Sequence, residues 1–201
     1  MISKADIEQR RSPQVLYDYV ESVKDAVNAD PVEIKKGFLK KDYYKEFLDE
    51  ILPLSRFARL HYPSGYSIEP VLGNQGYDAL VFDEHGQEVD RVEITSPQDG
   101  HDEAESNRLV VERGFGKTKT APFNNVFEGL LPHVIETCNA KAQKDYSDCS
   151  LVIAVAPLFS FAGYESLMDL QVKHLAAEIR RIKFKAKRAF LLVLPDLLLQ
   201  I

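Results

Sequence analysis

YDALVFDEHGQEVDRVEITSP, Tyr77 to Pro97, reads as a strand, a tight turn and a second strand. Tyr77 to Asp83 forms the first, Glu84-His85-Gly86-Gln87 the turn, and Glu88 to Thr95 the second. In the second strand Val89, Arg91, Glu93 and Thr95 share one face and Asp90, Val92 and Ile94 the other. Asp78, early in one strand, and Glu93, late in the next, therefore come side by side. Such a pair suits Mg²⁺ or Mn²⁺, hard cations that take oxygen donors and need only one or two carboxylates from the protein. A plainer alternative stands beside it, in which Asp78 shapes the turn after Gly76 while Glu93 pairs with Arg91 or a neighbouring strand.

Working outward, Tyr66 to Leu72 supplies a preceding strand after the turn cluster Tyr62-Pro63-Ser64-Gly65, so three short strands form a β-meander. Before it the texture is helical. Ser12-Pro13 opens a helix with Leu16, Val20, Val23 and Val27 at helical spacing, Asp30-Pro31 opens a second ending near Gly37, and Asp42 caps a third that Pro53 kinks or divides. After the meander come helices over 99–113 and 122–142, a continuous apolar strand from Ser150 to Ala156, an amphipathic helix over 163–187 and a buried strand from Ala189 to Leu194. Hairpin-linked strands followed by crossover helices predict an α/β fold with a mixed sheet flanked by helices. Residues 1–41 read as an N-terminal helical extension and 42–201 as the core.

The chain has 201 residues, is 45% hydrophobic and carries a net charge of −6, enough apolar content for a sizeable core and too acidic for broad adhesion to nucleic acid. Lys173 to Arg188 holds seven Lys or Arg against the single acid Glu178, so that segment is +6 and the remainder −12. Cys138 and Cys149 match neither a zinc knuckle nor a CxxC and read as reduced, buried thiols. No apolar targeting segment follows Met1 and no run is long enough to cross a bilayer, which predicts a cytoplasmic protein without a membrane partner.

The succession of a helix, a three-strand meander, a helix and a fourth strand resembles the core of the PD-(D/E)XK nuclease-like (restriction-endonuclease-like) superfamily, over roughly residues 42–195. The resemblance implies an acid on the second core strand, here Asp78, and an E-x-K triplet on the third, here Glu93-Ile94-Thr95. It implies a metal-dependent nuclease in which Asp78 and Glu93 hold Mg²⁺ or Mn²⁺ and the metal activates a water against a nucleic acid phosphodiester. Thr95 departs from the pattern, because a threonine has no charge and donates a single hydrogen bond. Another cation must replace the lysine, with Lys117 and Lys119 as candidates, or hydrolysis is lost and a binding module for nucleic acid or a protein remains. A further acid on the first core helix corresponds to Glu46 or Glu50.

Other signals are weaker. The polar run after Pro97 offers Gln98 and His101 as auxiliary site residues, against an ordinary helix start in which Asp99, Asp102 and Glu103 face the positive end of the helix dipole. Gly116-Lys117-Thr118 fails as a phosphate loop, since Val111 stands where the first glycine belongs. Lys173, Arg180 and Lys187 recur every seven residues on the expected helix, so Arg180 and Lys187, with Lys117 and Lys119, are candidate phosphate contacts, although a solvated helix face is the commoner reason for such a pattern. Tyr43, Tyr44, Tyr62, Tyr66 and Tyr77 can stack on bases or pack as core and rim.

Overall fold

A computed structural model describes residues 2–97, 100–114, 123–156 and 165–201, with side chains at 100–103, 123–128 and 165–168 outside the description. The helices are α1 (Lys4–Ile7), α2 (Pro13–Ala29), α3 (Pro31–Phe38), α4 (Tyr44–Glu46), which passes through a π-helical turn (Phe47–Ile51) into α5 (Leu52–His61), and then α6 (Gly100–Arg113), α7 (Phe123–Ala142) and α8 (Glu165–Ile179). The strands are β1 (Ser67–Pro70), β2 (Ala79–Phe82), β3 (Glu88–Thr95), β4 (Asp145–Val155), β5 (Lys185–Val193) and β6 (Leu197–Gln200). The α/β class and the meander are as expected.

The helix starts follow from local chemistry. Ser12 and Asp30 accept hydrogen bonds from the backbone N–H groups of Val15 and Val32, and a proline follows each cap where its missing N–H costs nothing. Asp42 does not cap the third helix. It sits at φ 54°, in the left-handed region that a short polar side chain tolerates, and Tyr43 precedes α4 without a side-chain cap.

The six strands lie in the order β1-β2-β3-β4-β5-β6. β1, β2 and β3 are antiparallel, with Ile68 opposite Val81 and Ala79 opposite Val92. The β2–β3 turn closes on Asp83, whose carboxylate accepts from the N–H groups of His85 and Gln87, while Gly86 supplies the positive φ of 76°. β3–β4 and β4–β5 are parallel, and β6 returns antiparallel along β5. β6 escapes the sequence reading because Leu197-Leu198-Leu199 is too short to show alternation.

The basic segment also differs from expectation. α8 ends at Ile179, and Lys185, Ala186, Lys187 and Arg188 belong to β5, so Lys173, Arg180 and Lys187 do not share a helix face. The local pattern Lys183-Phe184-Lys185-Ala186-Lys187 alternates with period two, which suits a strand that pairs with β4.

Strand alternation sends the two faces into separate cores. Ile68, Ala79, Val81, Val92, Ile94, Val152, Ala154, Phe190 and Leu192 pack with Ile7, Leu16, Val20, Phe47, Ile51, Leu54 and Phe57 from the N-terminal helices. Ile153, Val155, Leu191 and Val193 pack with Val134 and Cys138 of α7 and Val172, Leu175, Ala176 and Ile179 of α8. Arg11 also forms a two-way backbone bridge with Ile68, joining the segment before α2 to β1. No helix among the described residues is long and apolar enough to cross a membrane.

Candidate active site

Asp78 is placed by the meander itself. Its N–H donates to the carbonyl of Val92 (2.7 Å), its carbonyl accepts from the N–H of Val71 (2.9 Å), and its Oδ2 accepts from the N–H of Ile94 (2.6 Å). Asp78 lies just before β2, and its N–H reaches the carbonyl of Val92, the register partner of Ala79. Asp78 thus brackets Glu93, bonding to the residues on either side of it.

Glu93 is 9% exposed. Its Oε1 accepts from the Lys141 ammonium at 2.6 Å and from the Tyr146 hydroxyl at 3.3 Å. Arg91 does not pair with it, being held instead by Glu88 (2.8 Å) and Asp148 (2.7 Å). Thr95, also buried, has the parity of Glu93 on β3.

Lys141 lies in the last turn of α7, where a cation also faces the negative end of the helix dipole. The sequence offers Lys117 and Lys119 as replacement cations, both outside the described residues, whereas the cation that reaches Glu93 in the fold is Lys141. No local spacing marks it, since 48 positions separate it from Glu93. The signal lay in topology: α7 leads directly into β4, the parallel neighbour of β3, so the end of α7 arrives beside the third strand.

Glu50 joins the cluster from the π-helical turn, a feature frequent at functional sites. Burial raises its pKa to about 7, with further upward pushes from Glu46, Asp49 and Glu93. Burial likewise raises Asp78 to about 7, with the Glu93 charge acting in the same direction and the Ile94 N–H against it. For Lys141 burial acts downward, but the hydrogen bond and charge of Glu93 outweigh it and the ammonium is held more firmly than usual. Glu46 Oε2 is buried without a hydrogen-bond partner among the described residues. Three carboxylates that repel one another beside one ammonium concentrate negative potential and oxygen donors in one place.

That donor set suits a hard divalent cation by chemistry, though it is not an all-protein cage. Among the described residues no group of three or more His, Cys, Asp or Glu is arranged to hold a metal ion. A cation here would rest on Asp78 and Glu93 and complete its shell with water or phosphate oxygens, the usual habit of Mg²⁺.

The other sequence-derived candidates lie elsewhere. Lys187 donates to Asp90 Oδ1 (3.1 Å) and the carbonyl of Val89 (2.8 Å), and Arg180 donates to the carbonyl of Gln200 (3.2 Å). Asp90, whose side chain is 1% exposed, also accepts from Tyr62 (2.6 Å), Ser150 (2.8 Å) and Arg188. Burial alone would raise Asp90, but the hydrogen bonds from Tyr62 and Ser150 and the Arg188 charge hold it below the ordinary carboxylate range. Tyr44 and Tyr62 are core residues. Gln98, Lys117 and Lys119 fall outside the described residues, as does the side chain of His101, whose backbone lies in α6. Cys138 and Cys149 are free and buried, and burial pushes both thiols up to about 12, so neither is an activated nucleophile.

No family model, curated protein or solved structure matches this chain.

Proposed function

We propose that the chain is a metal-dependent, nuclease-like protein acting on nucleic acid phosphodiesters, with Asp78 and Glu93 as the ligands of Mg²⁺ or Mn²⁺ and Lys141 in place of the lysine that Thr95 lacks. The observation that carries this reading is the Lys141 ammonium 2.6 Å from Glu93 Oε1, a half-buried positive charge beside the strand triplet but brought from another element. When bound, the ion polarises a phosphoryl oxygen and lowers the pKa of a water. Lys141 holds positive charge where the phosphoryl oxygens gain negative charge, an interaction that strengthens in a site closed to water. Glu50, with a pKa of about 7, has the proton affinity of a general base at neutral pH.

One observation favours a second reading, an inactive nuclease-fold module that binds a nucleic acid or a protein. The ammonium that serves the first reading also neutralises Glu93 and competes with a cation for its oxygen. Incubation with single- and double-stranded DNA and RNA in Mn²⁺ separates the two. The nuclease reading expects cleavage by the parent, none by Asp78→Ala or Glu93→Ala, and a rate lowered about 100-fold in Lys141→Ala. Absence of cleavage by the parent on all four substrates leaves the binding module.

A further inference from the structure

We propose that Ser96 is a positioning residue for the acidic site, its hydroxyl holding the π-helical turn that carries Glu50 against the end of β3, and that Pro53 makes this contact available. The inference deepens the reading above, on which it depends only for what the site binds. Within the turn the N–H of Leu52 donates to the carbonyl of Phe47, five residues back. The next residue, Pro53, has no N–H, so the carbonyl of Asp49 loses the donor that a regular α-helix would bring to it. Interruptions of this kind in the i→i−4 ladder are a recognised cause of helix irregularity. The Asp49 carbonyl accepts from Ser96 Oγ at 2.9 Å.

The placement of the two partners gives this bond its consequence. Ser96 follows Thr95 at the end of β3 and stands three residues from Glu93, while Asp49 immediately precedes Glu50. One hydrogen bond therefore joins the π-helical turn that carries Glu50 to the end of the strand that carries Glu93. The Asp49 carboxylate is held at the same time by the Lys40 ammonium (2.9 Å), so residue 49 is clamped through both its main chain and its side chain. When charged, Glu50 is repelled by Glu46, Asp49 and Glu93, and Asp78 by Glu93 and Glu50, a repulsion that favours drift of the π-helical turn away from β3. The Ser96 bond opposes the drift and keeps Glu50 near the Asp78–Glu93 pair, the arrangement that a cation needs.

The test is a double-mutant cycle read by thermal unfolding at pH 8 in EDTA, joined to Mn²⁺ titration followed by electron paramagnetic resonance. Glu50→Gln removes one of the opposed charges and raises the unfolding midpoint of the parent. In Ser96→Ala the same change is expected to raise it by less than half as much, because Glu50 has already moved away, and Ser96→Thr, which keeps the hydroxyl, restores the full gain. Mn²⁺ affinity is expected to fall about 10-fold in Ser96→Ala and to stay within about 2-fold of the parent in Ser96→Thr, the scale of an outer-shell partner. Pro53→Ala gives the Asp49 carbonyl a competing backbone donor without threatening the helix, and it is expected to behave like Ser96→Ala. An equal gain from Glu50→Gln in parent and Ser96→Ala overturns the positioning role, as does equal Mn²⁺ affinity in those two proteins. Parent-like behaviour of Pro53→Ala in both measurements overturns the part assigned to Pro53. If the parent takes up no Mn²⁺, the nuclease reading falls and the unfolding cycle alone decides for or against Ser96.

Discussion

Asp78 is a carboxylate that the fold makes reluctant to ionise. Its pKa of about 7 lies above the ordinary value near 4, first because of burial and then because of Glu93, so the folded chain binds a proton there that the unfolded chain has already released between those two pH values. The contribution of Asp78 to stability therefore declines as pH rises from about 4 to about 7, and Glu50 contributes a change of the same sign. In EDTA, urea unfolding at pH 8 is expected to show Asp78→Asn more stable than the parent by roughly 2–4 kcal/mol, because the amide oxygen still accepts from Ile94 while the half-buried charge is gone. At pH 4.5 the two should be nearly equal. Lys141 behaves in the opposite way. Replacing it by Met strands Glu93, whose side chain is 12% exposed, without its partner, and unfolding at pH 8 is expected to report a loss of about 3 kcal/mol. The double variant Lys141→Met/Glu93→Gln should recover most of that loss. That Glu93 and Thr95 share a face could be read from strand parity, whereas Lys141 as the partner of Glu93 could not, since 48 positions of chain separate the two.

At the scale of elements, β5 is where periodicity misleads most. Val172, Leu175, Ile179, Ile182 and Ala186 continue a helical stripe on paper, while the chain leaves the helix at Ile179 and pairs with β4 from Lys185. The strand wins because Arg188 and Lys187 then reach the buried Asp90, and because Phe190 and Leu192 fill one core and Leu191 and Val193 the other. Arg188→Ala is expected to cost about 3 kcal/mol by leaving Asp90 with half its charge partners, and Lys187→Ala, at the exposed rim, less than about 1 kcal/mol. Denaturant unfolding of the two variants checks the ordering. A reversed order would show that Lys187 rather than Arg188 neutralises Asp90. The helix starts of α2 and α3 were legible in Ser12-Pro13 and Asp30-Pro31 because caps are local, and the turn at Gly86 was legible for the same reason.

For the whole molecule, the N-terminal helices and the sheet share one buried cluster. Ile7, Leu16 and Val20 contribute side chains to the core that also contains Val81, Val92 and Phe190, and the Arg11–Ile68 bridge adds a backbone link. Leu16 is fully buried, and Leu16→Ala is expected to cost about 2–5 kcal/mol and to lower one common midpoint, not to detach residues 1–41 while the sheet stays folded. Far-UV circular dichroism and amide exchange in β3, followed together through the transition, test this. Separate transitions would make the first 41 residues an independent extension.

By itself the chain's sequence determined the α/β class, the meander, the capped helices and the parity that puts Glu93 and Thr95 on one face, because each depends on side chains a few residues apart acting through steric preference and hydrogen bonding. Only the tertiary structure decided that Lys141 meets Glu93, that Ser96 takes the Asp49 carbonyl and that the basic run enters the sheet. Those outcomes depend on which distant surfaces bury one another, and burial is what turns scattered like charges into a site with altered proton affinity.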